Sequence, residues 1–269
     1  MLGGYILFSR MSFVVFLLLL CSMATAKPNY YVNDSLEYFW DFENRKAFQT
    51  DIKSNISAFL QGKIQWIQPE FSFQRPERSG VIHIHGDKTD GSMFVVSGKK
   101  MQRDLTDWTI DFEFAIGTHD LDEEDHTRGE LVDGTIMQWG DLSIHFIRDP
   151  GGAKWKGVVI VNFRGKEKFI QGVSGFDYHY MAIRSEDTGI SIWFDSYCTN
   201  LVERPRRSVE GKQLVFGGNG FAGRIDDIKI YSKRLRPWEI TANFWGNRLN
   251  VDERDKLATT WANIKLGKE

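Results

Sequence analysis

Asp107-Trp108-Thr109-Ile110-Asp111-Phe112-Glu113-Phe114-Ala115-Ile116-Gly117 alternates without a break. Trp108, Ile110, Phe112, Phe114 and Ile116 fall on one side, and Thr109, Asp111 and Glu113 on the other. Successive side chains of a strand point to opposite faces, so this period predicts a β-strand with one buried and one wet face. Leu142 to Phe146 and Gly189 to Phe194 repeat the pattern. Val158-Val159-Ile160-Val161 is continuously apolar and predicts a central strand covered on both faces. Shorter candidates are Val81 to His85, Met93 to Val96, Tyr178 to Ile183, Leu214 to Phe216 and Ile225 to Tyr231.

Turn-forming residues separate these runs: Gly86-Asp87, Asp90-Gly91, Pro150-Gly151-Gly152, Asp187-Thr188-Gly189 and Gly217-Gly218-Asn219-Gly220. Many short strands so punctuated predict an all-β fold, an antiparallel jelly-roll sandwich. Two helices are expected. Leu235 to Ile240 is short, with Pro237 in the first turn, where its missing N–H costs nothing. Asp252 to Lys265 is a charged helical tail with Leu257, Trp261 and Ile264 near one face. The chain therefore reads as a leader over residues 1–26, one sandwich domain over 27–249, and the tail over 250–269.

Of 269 residues, 42% are hydrophobic and 26% charged, a globular composition. Thirty-four Lys+Arg against 36 Asp+Glu give a formal net charge of −2, so no overall field draws the chain onto nucleic acid. Arg10, the apolar run Phe13 to Leu20 and Ala24-Thr25-Ala26 before Lys27 are the three parts of a secretory signal. That run is shorter than the ~20 residues a spanning helix needs, so no transmembrane span is expected. Cleavage would remove Cys21 and leave Cys198 alone, either buried, the plainer reading, or paired with another chain in a disulfide dimer. Asn33-Asp34-Ser35 and Asn55-Ile56-Ser57 make Asn33 and Asn55 glycosylation acceptors, as suits a secreted, extracellular protein.

Phe221-Ala222-Gly223-Arg224-Ile225-Asp226-Asp227-Ile228-Lys229-Ile230-Tyr231, followed by Leu235 and Glu239-Ile240, resembles the closing motif of laminin-G-like, or pentraxin-like, domains of the concanavalin A-like jelly-roll type. Leu36 to Phe42 is similar to that family's opening strand, and Trp108-Thr109-Ile110 to another of its strands. Tyr178-His179 stands where the family has Trp-His, and Ile192-Trp193-Phe194-Asp195-Ser196 where it has a Tyr-x-Asp-Gly hairpin. The departures are Tyr178 for Trp and Ser196 for Gly. The resemblance implies an extracellular recognition domain, with calcium at a sheet rim in many members. Asp226 and Asp227 read as residues that fix backbone rather than do chemistry.

The fold also houses glycoside hydrolases, which place an acid and a base on neighbouring carboxylates. The Glu-x-Asp-x-x-Glu string typical of that superfamily is absent. Asp111 and Glu113 share a face, but a wet strand side accounts for them. His119-Asp120-Leu121-Asp122-Glu123-Glu124-Asp125-His126, with Glu130 and Asp133 behind, is the densest polar cluster. Calcium takes six to eight oxygens, and Asp120, Asp122, Glu123 and Asp125 are its candidate ligands here; an exposed acidic loop is the plainer account. His83 and His85 share a strand face without a third zinc ligand. Arg204-Pro205-Arg206-Arg207 is a solvated hairpin tip, a contact for glycan or a protein partner through Arg204, Arg206 and Arg207, or a protease site, in that order. Trp66, Trp139, Trp155 and Trp193 are either core or sugar-stacking rings. The expected function is a non-catalytic, secreted module that binds glycan or a protein. The alternatives are a polysaccharide hydrolase or lyase, and an assembly subunit joined through Cys198 and the tail.

Overall fold

The computed structural model describes residues 35–68, 80–86, 91–97, 107–117, 131–149, 151, 155–175, 177–195, 197–202 and 213–248, with no side chains for 246–248. The leader, Asn33, the acidic cluster from His119 to Glu130, the Arg204–Arg207 run and the tail beyond 248 lie outside them. In chain order the strands are β1 (Leu36–Trp40), β2 (Phe59–Gln61), β3 (Ile64–Ile67), β4 (Val81–Ile84), β5 (Met93–Ser97), β6 (Thr109–Ile116), β7 (Gly134–Trp139) and β8 (Leu142–Arg148). They continue as β9 (Lys156–Phe163), β10 (Lys166–Ser174), β11 (His179–Glu186), β12 (Gly189–Phe194), β13 (Tyr197–Val202), β14 (Gln213–Gly217) and β15 (Gly223–Tyr231), and helix α1 (Pro237–Arg248) follows. An eight-stranded sheet runs β13-β12-β11-β6-β15-β4-β3, with β1 also paired to β15. A seven-stranded sheet runs β10-β9-β8-β7-β14-β5-β2. Every pairing is antiparallel, and the whole is an all-β sandwich of jelly-roll kind. Asn33–Phe244 make one compact unit.

The inner faces meet in one apolar core. Ile110, Phe112, Phe114 and Ile116 of β6 lie in it with Phe94, Trp108, Trp139, Phe146, Phe163 and Phe216. Trp108 and Trp139 meet edge to face at 5.4 Å, as do Phe112 and Phe216 at 5.1 Å. Two glycines allow close backbone approaches, Gly134 beside the loop at Phe221 and Gly223 against the neighbouring strand β6. A Cβ on Gly134 would sit 2.2 Å from the Phe221 nitrogen, and one on Gly223 would sit 2.3 Å from the Ala115 oxygen. The apolar run at Val158 to Val161 is not a doubly covered strand. Val159 and Val161 are buried while Val158 and Ile160 are half-buried, because only the inner face of the seven-stranded sheet packs on the core, as the same alternation in β8 shows. The short helix predicted at Leu235 is real but longer, and Pro237 is its first residue. Glu239 reaches back to accept from the Arg236 N–H at 2.6 Å, the arrangement that closes a helix start.

The largest departure concerns the outer face of β6. All eight of its residues are buried, and Asp111 and Glu113 have no exposure, so that side is not wet. Helix α1 and the segment before it cover it. Asn243 donates to Asp111 at 2.7 Å and to the Tyr231 hydroxyl at 2.9 Å. The Leu235 N–H donates to the Thr109 hydroxyl at 2.9 Å, and Phe244 packs on Tyr180 with ring centroids 5.5 Å apart. Lys229 stands across from Asp111 on β15, 3.7 Å from its carboxylate and 3.8 Å from that of Asp227. Burial pushes the Asp111 carboxyl above its ordinary pKa, against the opposing pull of Lys229 and Asn243.

A bulge in β15 makes this pairing. The register slips between Asp226 and Lys229, and Asp227 takes a left-handed φ of 49° with its N–H on the Asp226 carboxylate at 2.8 Å. One extra residue shifts the alternation, so Ile225 and Ile228 both face the core and Lys229 falls opposite Asp111. Asp226 therefore fixes backbone, though within β15 rather than at its start, and the Asp227 carboxylate faces Lys229. Asp111→Ala should lower unfolding stability by about 2–3 kcal/mol, since it removes one of the two carboxylates beside the buried Lys229 and one of the two acceptors of Asn243. Urea denaturation checks this, and a loss below about 1 kcal/mol would show that the pair does not hold the helix.

Candidate functional site: a cleft at the open edge of the sandwich

Strands β10 and β13 end their sheets on the same side, and the inner faces part there to leave a cleft of about 430 Å³. Register fixes what faces it. Lys168 and Ile170 lie opposite the core residues Val161 and Val159, so β10 turns them inward. Tyr197 and Thr199 lie opposite Phe194 and Ile192, so β13 turns them inward from the other side. The Tyr197 ring is 65% exposed. At the floor Phe194 stacks on His179 with centroids 5.0 Å apart.

His179 is braced at both nitrogens. Nδ1 lies 3.0 Å from Asp195 Oδ2, and the other Asp195 oxygen accepts the Tyr180 N–H at 3.0 Å. Nε2 lies 2.8 Å from the Ser174 carbonyl oxygen and 3.4 Å from its hydroxyl. Serine, histidine and aspartate thus stand in the order of a nucleophilic triad. The hydrogen bonds run otherwise: carbonyl and carboxylate oxygens only accept, so both ring nitrogens face acceptors and neither offers a lone pair to the Ser174 hydroxyl, which donates to Asp177 at 2.6 Å. This set is a rigid polar floor, not a base beside its nucleophile. Asp195 itself sits in the hairpin turn at φ 51°, a conformation aspartate tolerates, and keeps part of its carboxylate open to the cleft.

On the outer side of the seven-stranded sheet, His145 joins a second polar chain. Asn219 donates to the Thr135 hydroxyl at 2.8 Å, that hydroxyl lies 3.1 Å from His145 Nδ1, and Nε2 lies 2.9 Å from the Ser143 hydroxyl. Burial lowers the His145 pKa, with Glu167 pulling the other way. A neutral ring fits this chain: Thr135 donates to Nδ1, Nε2 donates to Ser143, and the Ser143 proton is left to point outward.

The sequence-derived candidates scatter. Cys198 is exposed on β13, which overturns its expected burial; partial desolvation, opposed by Arg184, raises its pKa. Asn55 is exposed in a tight loop that the buried Asp51 ties to β1 by accepting the Phe39 N–H, and it takes a left-handed φ of 56°. Asp133 accepts the Arg148 N–H at 2.6 Å. His83 is buried with its ring 4.3 Å from that of His85, and the described residues contain no cluster of three or more metal-ligating side chains. Trp139 is core, Trp66 donates to the Phe42 carbonyl at 2.7 Å, Trp193 is half-buried and Trp155 is 49% exposed. Sequence reasoning missed the cleft because its residues come from four strands, two of which, β10 and β13, carried no clear alternation.

No protein-family model and no curated protein matches the chain. Solved structures match its fold. The binding domain of botulinum neurotoxin DC, in complex with SialylT, aligns at a TM-score of 0.54 and 17% identity over 80% of this chain and 51% of that one. The same domain in complex with rat synaptotagmin II aligns at 0.54 and 16% over 80% and 52%. Domain 4 of AbnA, an extracellular GH43 arabinanase from Geobacillus stearothermophilus, in complex with arabinotriose, aligns at 0.53 and 11% over 78% and 98%. The chain spans about half the length of the neurotoxin domains and nearly all of the arabinanase domain. These alignments show a shared sheet-rich fold. Among the described residues no helix is long and apolar enough to cross a membrane.

The lowered His145 pKa has a consequence for stability. The unfolded histidine titrates near ~6.5, so below that pH the unfolded chain takes the proton before the folded one does. Stability should be full above that value and fall as pH drops through it toward the folded pKa. Urea midpoints measured from pH 7 to pH 5 check this. His145→Gln should flatten that part of the curve, and an unchanged slope would remove His145 as its source.

Proposed function

We propose that the chain is a secreted, non-catalytic recognition module that binds glycan through the cleft between β10 and β13. The observation that carries this reading is the exposed Tyr197 ring beside a braced polar floor. A sugar offers an apolar C–H face and a rim of hydroxyls. Tyr197 supplies the flat partner for the first, and Lys168, Thr199 and Asp195 supply donors and acceptors for the second. The structural neighbours support it, since they are binding domains, two of them in complex with SialylT or arabinotriose. The neurotoxin domain in complex with synaptotagmin keeps a protein ligand as the second reading. The exposure of Cys198 favours pairing with another chain over a sealed thiol. Calcium at Asp120, Asp122, Glu123 and Asp125, and ligand contact through Arg204, Arg206 and Arg207, are separate proposals.

A glycan array probed with calcium and with chelator tests the reading. We expect binding that Tyr197→Ala weakens at least tenfold without loss of fold. Chelator-insensitive binding would remove calcium from the site. No signal on any glycan would turn the reading toward a protein ligand, and turnover of a polysaccharide would overturn it.

The secretory reading predicts a mature chain that starts near Lys27 with glycan on Asn33 and Asn55. Asn55 supports it by its exposure. Intact mass before and after glycosidase treatment should show that start and a downward shift. A cytosolic product retaining its first residues would sink it.

A further inference from the structure

The two outer faces of the sandwich differ in kind. That of the eight-stranded sheet is buried along β4, β6 and β15. That of the seven-stranded sheet is open. Asn162, Ser143, Gln138, Val215, Val95 and Phe59 form one outward row across six strands, register by register. Phe169, Ile160 and His145 form the row beside it, which ends at the buried Thr135. Phe59 is 64% exposed, Phe169 52% and Ile147 44%.

An open sheet face ordinarily keeps itself in water with charged side chains. This one does not, although 26% of the chain is charged. Among its described outward positions only Lys156 and Glu167 carry formal charge, both at the β9–β10 end, and Glu167 accepts from Asn162 at 3.3 Å. The rest are amides, hydroxyls, one neutral histidine and apolar groups. Such a surface loses little when it gives up water to a neutral ligand rich in hydroxyls, whereas charged groups would have to be desolvated. The Ser143 hydroxyl stands in this row.

The face is continuous with the cleft. Phe169 and Gln171 stand outward on β10 and also line the cleft, so a ligand leaving the cleft crosses β10 directly onto the open sheet. Seven strands at the usual spacing of ~4.8 Å make a platform roughly 29 Å wide, room for an oligosaccharide of several rings.

We propose that the ligand is an extended, neutral oligosaccharide that begins in the cleft and runs over β10 and across the outer face of the seven-stranded sheet. The proposal rests on the glycan reading of the cleft and adds to it chain length, neutrality and path. Amide and hydroxyl groups of Asn162, Ser143 and Gln138 hold successive sugar hydroxyls, and Phe169, Ile160 and Phe59 face the C–H surfaces.

Titration calorimetry with neutral arabino-, xylo-, cello- and manno-oligosaccharides of one, three and six units tests it, with a uronic acid series as the charged control. Affinity for at least one neutral series should rise tenfold or more from one unit to six and exceed that for the uronic series. Gln138→Glu places a charge in the middle of the long row, and Phe59→Ala removes its far ring. Both positions are exposed, so an unchanged melting temperature is expected, with the six-unit affinity falling to the one-unit value while the one-unit affinity stays as it was. Binding that needs Tyr197 but ignores chain length, prefers the acidic series, or survives both substitutions in full would overturn the path while leaving the cleft reading in place. If the array and every series are silent, the glycan reading itself fails, and this proposal with it.

Discussion

A carboxylate on a sheet face that water cannot reach sets most of the remaining structure. Asp111 sits on the central strand of the larger sheet, turned away from the core yet without exposure. An ionised group in that position is costly unless charge and hydrogen bonds surround it. Lys229 supplies the charge, and it reaches that place only because β15 carries an extra residue at Asp227. Asn243 supplies the hydrogen bond, and it is delivered by α1. Bulge, helix and strand therefore answer one requirement. Phe39 completes the pocket, with the Lys229 ammonium 5.2 Å from its ring centroid.

The alternation from Trp108 to Ile116 was enough to read β6 as a strand and to say which residues enter the core. It could not say whether the other face was wet. Asp and Thr read the same way in sequence whether they meet solvent or a helix more than a hundred residues downstream. The one available signal lay in β15. Ile225, Ile228 and Ile230 break strict alternation, and a phase break of that kind marks a bulge. Val158 to Val161 failed for the opposite reason. Continuous apolarity says that both sides avoid charge, not that both sides are covered.

The cleft was less legible still. His179 was noticed for its place in a family pattern, but its bracing by Asp195 and Ser174 depends on a hairpin turn and on the end of a strand from the other sheet. Tyr197 lies on a strand with mixed burial and so gives no periodic signal. Edge strands pack on one side only, and pattern reasoning is weakest where packing is incomplete.

The same burial bears on which chemistry the fold can host. Asp111 and Glu113 are the two carboxylates that sequence places on one face, the arrangement a retaining glycosidase would need at ~5–5.5 Å. Here their face is closed, and the described partners of Asp111 are a lysine and an asparagine that belong to the helix dock. A substrate could reach this pair only by displacing α1, and with it the contacts of Asn243 and Phe244. The serine–histidine–aspartate set borders the cleft, but its histidine is itself buried and both ring nitrogens face acceptors. In one place the carboxylates lack access, and in the other the histidine has no nitrogen left to accept a proton. Among the described residues, an exposed ring, a polar floor and a sheet face with little charge stay open.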